Sequence, residues 1–272
     1  MDVETLLAQI HEVCPLPATA QRVATLSARE DVAIAEVASA LATDPALAAE
    51  TMRIANSAGF GGFRKVETLE RAVMTLGLNE LNTMATAMAM MAAFANEDER
   101  SSRIHQRSVV AGSLARKLAK PLKLPPSVAF LAGLLAEVGA LACFAVDATS
   151  YGQIFDQAGG DEVARRTLER QRYGESSRRV GAALLDQNQL PESVSGAVGA
   201  DDDEEDPTPM GALVRFARAA VPPLVHAAQS GDRVGLGDAL DALAVAHHLP
   251  LQGDVLFDIC LDAARDAARA LA

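Results

Sequence analysis

The sequence predicts an all-α protein. Half of its 272 residues are hydrophobic, and these are mostly Ala, Leu, Val and Met, with 4% aromatics and no Trp. Ala, Leu and Met favour helix, while the β-branched runs that mark strands are scarce. Apolar residues also recur at helical spacing: Ile34, Val37, Ala38 and Leu41 stand at i, i+3, i+4 and i+7.

The elements follow in order. Residues 3–13 form a first short helix, closed by Cys14-Pro15-Leu16-Pro17, and Pro17 opens a second that holds Val23 and Leu26. The third is the 34–41 face. Asp44-Pro45 reads as an N-cap followed by proline at the first helical position, with Leu47, Thr51, Ile54 and Ala55 on one face of the helix it opens. The glycine-rich stretch at 55–69 lacks both the GxxxxGK[ST] pattern and a preceding strand, so it reads as a helix end and turn with Phe60 and Phe63 packed inward. Thr68 caps the next helix and Gly77 stops it. Residues 79–95 make an Ala/Met-rich helix, apolar on most sides, whose Met84, Met88, Met90 and Met91 are core filler.

The polar run 96–103 is the internal boundary, dividing the chain into 1–98 and 99–272. Beyond it come helices at about 103–120, an apolar helix spanning FLAGLLAEVGAL (130–141), and helices at about 161–172 and 175–188. The acidic stretch 201–209 lacks the alternating ligand order of a calcium loop and reads as a solvated loop. Helices resume at 210–229, 236–247 and 253–271. His247-His248 closes one of them; adjacent helical positions diverge, so the two are a poor metal pair.

Composition excludes several roles. A net charge of −12 and few stacking aromatics argue against nucleic-acid or anionic-membrane binding. Cys14, Cys143 and Cys260 have no zinc or redox spacing and read as reduced core thiols. The N-terminus lacks the basic region of a signal peptide, and 130–146 is short for a membrane span and contains Glu137, which makes the cytoplasm the expected location. Two arginine- and lysine-rich clusters, over 100–123 and 165–179, read either as a locally positive surface for an acidic partner or as an ordinary solvated face.

Several blocks resemble the HDOD family, an all-helical relative of HD-domain phosphohydrolases. They are LPATAQRVATLS (16–27), the long LATDPALAAETMRIANSAGFGGFRKVETLERAVMTLGLNEL (41–81), SVVAGSLARKLA (108–119), AFLAGLLAEVGAL (129–141), YGESSRRVGAALL (173–185) and LPESVSGAV (190–198). The resemblance covers roughly residues 10–220 and implies an N-terminal helical subdomain packed on a divergent HD-type bundle.

The resemblance also gives Glu137 a context. Where catalytic HD proteins carry a metal-binding His-Asp pair, this register reads Ala136-Glu137. Arg107 and Ser177 occupy two further histidine positions, and Asp201-Asp202 fall near a His-His pair. None of the matched histidines remains, so the metal that lowers the pKa of attacking water has no ligand set. A buried carboxylate needs a partner: either Arg107 pairs with Glu137 in place of the metal, or Glu137 reaches solvent at a helix edge. The resemblance therefore implies a non-catalytic regulatory protein without metal or cofactor, working through protein partners in bacterial signalling; self-association into a homo-oligomer is compatible with it. The alternative is a nucleotide sensor (a cyclic dinucleotide) or residual phosphohydrolase, with Arg107, Arg178 and Arg179 holding phosphates as guanidinium forks do.

Overall fold

A computed structural model describes residues 3–13, 18–27, 29, 31–56, 65–95, 97–200 and 208–271; Cys14, Phe60, Phe63, Asp201 and Asp202 lie outside them. Sixteen helices and no strand occur among the described residues. The chain divides into two compact units, residues 15–93 and residues 1–14 with 94–272. The division at 98/99 assigns the first helix, α1 (Val3–Val13), to the N-terminal part, whereas α1 groups with 94–272.

The 15–93 unit holds α2 (Ala18–Ser27), α3 (Ile34–Ala42), α4 (Pro45–Ala55), α5 (Leu69–Leu76) and α6 (Leu78–Ala93). Its starts and stops follow local chemistry. Asp44 accepts from the Leu47 amide at 3.0 Å, and Thr68 accepts from that of Arg71 at 3.2 Å. Gly77, at φ 81°, ends α5 in a backbone conformation that a side chain would strain. Val37, Leu41, Leu47, Val73, Leu81 and Met84 are buried core. Asn56 ties the chain after α4 to the approach to α5. Its Nδ2 donates to the carbonyls of Met52 and Val66, both at 2.9 Å, and its Oδ1 accepts from the Val66 amide at 2.8 Å.

In the second unit, α7 (Glu99–Ala119) begins at an Asp98 cap and packs along α8 (Pro126–Leu134). The expected single helix through FLAGLLAEVGAL is broken: α8 ends at Leu134, residues 135–137 form a turn, and α9 (Val138–Val146) starts anew. Glycines hold this turn from both sides. A Cβ on Gly133 would come 2.6 Å from the Ala111 carbonyl oxygen of α7. One on Gly139 would come 1.9 Å from that of Ser177, in α12 (Ser177–Gln187). Only hydrogen at these positions lets the backbones approach so closely. The apolar stretch Pro126–Val146 has the length and hydropathy of a membrane span, but 83% of its 18-residue apolar window is buried within the protein.

Two helices absent from the sequence expectations, α10 (Ala148–Ala158) and α13 (Glu192–Gly199), precede and follow α11 (Glu162–Tyr173) and α12. The last three are α14 (Pro209–Ser230), α15 (Leu236–Ala246) and α16 (Gly253–Leu271). His247 caps α15 and His248 turns out of it at φ 58°. Cys143 and Cys260 are free, buried thiols, and burial pushes their pKa upward, that of Cys260 to about 12.

Candidate functional site

The break between α8 and α9 exposes backbone groups that an unbroken helix would have satisfied. Arg218, from the middle of α14, reaches them. Its Nη2 donates to the carbonyls of Ala136 at 2.5 Å and Val198 at 2.9 Å, and its Nε lies 3.1 Å from Glu137 Oε1. The other carboxylate oxygen, Oε2, accepts from Arg165 Nη2 at 3.0 Å. The Glu137 side chain is 12% exposed and both its oxygens face guanidinium groups.

The charges continue in alternation away from Glu137. Arg165 also approaches Glu162 and Glu169, each at 3.5 Å, and Glu162 accepts from Arg178 at 2.9 Å. Glu169 is fully buried. Its Oε1 accepts from the Tyr151 hydroxyl at 2.5 Å, and its Oε2 accepts from the Ser177 amide at 2.8 Å. These bonds answer the desolvation that a buried carboxylate incurs.

The network shifts its own titrations. Burial works against the ionised form of Glu162, but the guanidinium groups of Arg165, Arg178 and Arg218 outweigh it and hold its carboxyl well below the usual range. Burial, with Glu169 beside it, raises the Tyr151 phenol well above its ordinary value, so the hydroxyl stays a donor. Burial and the neighbouring Arg178 bring the Arg218 guanidinium down to about 10, and it keeps its charge at neutral pH.

Glu137 and Ala136 line a cleft of about 380 Å³ together with Ser108, Arg165, Arg218 and Arg107. The register read from sequence thus brings Arg107, Ala136 and Glu137 to one place. The expected pairing is not formed: among the described residues no ion pair joins Arg107 to Glu137, because Arg165 and Arg218 take both carboxylate oxygens. Ser177 lies behind the cleft, its amide bound to Glu169 and its carbonyl against Gly139. Arg178 joins through Glu162, whereas Arg179 is exposed on α12.

Arg165, Arg218, Glu162 and Glu169 complete the site beyond the residues singled out by register. Arg218 had a signal of a related kind to Glu137: with Arg215 it is one of two charges inside the otherwise apolar run ALVRFARAAV. Several basic residues of the two clusters are paired with acids of this chain. Arg100 pairs with Asp98 and Asp156, Lys117 with Asp262 and Asp266, Arg172 with Asp147 and Arg178 with Glu162.

The donor set does not fit the metal of HD enzymes. Ala136 offers no ligand atom, a guanidinium such as Arg107 has no lone pair to give, and two fixed cations flank Glu137. Among the described residues no group of three or more His, Cys, Asp or Glu is placed to hold a metal ion.

Comparison with known proteins agrees with the all-helical fold. The HDOD domain model matches residues 13–203. A crystal structure from Shewanella amazonensis SB2B, of a protein provisionally named a phosphohydrolase, superposes with a TM-score of 0.71 at 21% identity, over 98% of each chain. An HDOD domain protein of unknown function from Geobacter sulfurreducens gives 0.61 at 22%, over 99% of this chain and 98% of that one. The MmoQ response regulator of Methylococcus capsulatus str. Bath gives 0.51 at 22%, over 89% and 95%. No curated protein matches the chain.

Proposed function

The chain belongs to the HDOD family, and we propose that within it this protein is a non-catalytic regulator that acts through protein–protein contacts in cytoplasmic bacterial signalling. The observation that carries this reading is the state of Glu137: this acidic group of the metal register has Arg165 and Arg218 on its two oxygens. A divalent ion bound to Glu137 would compete with two like charges already on its oxygens, and Coulomb repulsion at such close range is strong even at an effective dielectric constant of about 20. Metal-activated water is the source of hydrolytic power in such enzymes, so the pocket has exchanged chemistry for internal ion pairing. Resemblance in fold to a response regulator supports a signalling role for this chain.

Elemental analysis of protein purified without chelator tests the reading, together with assays of phosphomonoester and phosphodiester hydrolysis in added Mn²⁺ or Mg²⁺. The expected results are no stoichiometric transition metal and no turnover. Metal-dependent hydrolysis that is lost in Glu137→Gln would overturn it.

A further inference from the structure

Three hydrogen-bonding groups left over from the ion-pair network meet in the cleft beside Glu137. Ser108 on α7 is 0% exposed, and its Oγ has no hydrogen-bond partner. Arg218 Nη1 is likewise buried and without one, although Nη2 is hydrogen-bonded to two carbonyls and Nε stands 3.1 Å from Glu137 Oε1. Arg107, one turn before Ala111 on the same helix face as Ser108, is half-buried and takes part in none of the hydrogen bonds or ion pairs among the described residues. Buried donors are rarely left unmade, and a cluster of them lining one cleft marks a place for an acceptor.

Charge narrows the acceptor. Arg107, Arg165 and Arg218 line the cleft against Glu137 and Glu162. Both carboxylates are already paired, so Arg107 is the cation left over. Water would satisfy the hydroxyl and the free Nη1 but would not balance that charge. A tetrahedral oxyanion does both, accepting from guanidinium and hydroxyl donors at once.

We propose that this cleft binds a phosphoryl group, with Arg107, Ser108 Oγ and Arg218 Nη1 as its donors. Arg107 also lines an adjoining, solvent-open cleft walled by Phe155 and Gly160, on the side from which the organic part of a phosphate monoester would extend. The proposal rests on the reading above, that the cleft has given up its metal, and adds a ligand through which the protein is regulated.

The test uses the full chain with chelator present, at ionic strength matched with chloride. Inorganic phosphate, guanosine 5′-monophosphate and guanosine are compared by thermal shift and calorimetry. Phosphate and the monophosphate raise the melting temperature and guanosine does not. Arg107→Gln and Ser108→Ala each weaken phosphate binding about tenfold or more. Neither variant lowers the melting temperature without ligand, because neither side chain has a protein partner to lose. Tighter binding of the monophosphate assigns the phosphoryl group to a monoester, and equal affinity assigns it to inorganic phosphate; both support the site. No shift with either probe, or a shift that both variants retain, overturns the proposal and leaves the metal-free reading intact. Binding that appears only when Mn²⁺ replaces the chelator overturns the metal-free reading and this site with it.

Discussion

Arg218 bridges the break between α8 and α9, with Nη2 on the Ala136 carbonyl and Nε 3.1 Å from Glu137 Oε1. One side chain therefore answers two consequences of the same local event. Ending α8 at Leu134 frees a backbone carbonyl, and the turn places a carboxylate where a helix would have buried it. A divalent cation answers a carboxylate cluster with point charge. A guanidinium answers one carboxylate and two carbonyls with directed donors, and so closes the turn and the charge balance together.

That double role predicts strong coupling between the two residues. Arg218→Met strands the Ala136 and Val198 carbonyls and removes one of the two cations on Glu137; the expected cost is about 3–5 kcal/mol. Glu137→Gln leaves Arg165 and Arg218 without their shared counter-charge and destabilises in the same direction. The double variant loses less than the sum, with an interaction energy of about 1–3 kcal/mol in urea unfolding. Strict additivity would show that Arg218 acts through its carbonyl bonds alone.

The glycine at the start of α9 sets how closely α12 approaches. A methyl at position 139 would overlap the Ser177 carbonyl and come 2.6 Å from the Gly181 amide nitrogen, backbone atoms that no rotamer change can move. Gly139→Ala is expected to cost about 2 kcal/mol or more in urea unfolding, although alanine is the better helix former. Gly196→Ala is the control: it lies within α13, and its added methyl meets nothing within 4 Å.

How far the sequence carries is clear at these same residues. Asp44, Thr68 and Gly77 announced their helix ends because capping is chemistry within four residues, and register brought Arg107, Ala136 and Glu137 to one cleft. The turn at 135–137 was not legible: Leu-Ala-Glu has no proline or glycine to signal it, and what holds it open is Arg218, over eighty residues further along. Arg165 was visible only as a member of a basic cluster. Its choice of Glu137 depends on how α11 packs, which periodicity does not encode.

In the other unit, the Asn56 side chain joins the end of α4 to Val66, using both its donor and its acceptor. Asn56→Ala removes this clamp at an expected cost of about 1–2 kcal/mol. Asn56→Asp keeps the acceptor for the Val66 amide but turns a carboxylate oxygen toward the carbonyls of Met52 and Val66. It is expected to be at least as destabilising as alanine in urea unfolding at pH 7. An aspartate variant as stable as the parent would show that the donor bonds contribute nothing.

The cap of α7 provides a titration to read. Asp98 accepts from the Arg100 amide at 2.8 Å and from its side chain at 2.7 and 3.0 Å, and these bonds, led by the side-chain one, lower its carboxyl to about 2. In the unfolded chain the group titrates near its ordinary value of about 3.9. Above that value it is ionised in both states and its stabilisation is fully present. As pH falls toward 2 the unfolded state takes up the proton first, and the stabilisation is lost. Stability against pH is therefore expected to fall more gently between about pH 4 and 2 in Asp98→Asn, which still caps the helix but carries no titrating group. The measurement is the difference between parent and variant in urea midpoint across that range. A constant difference would show that Asp98 titrates alike in both states, and that Arg100 is held by Asp156 alone.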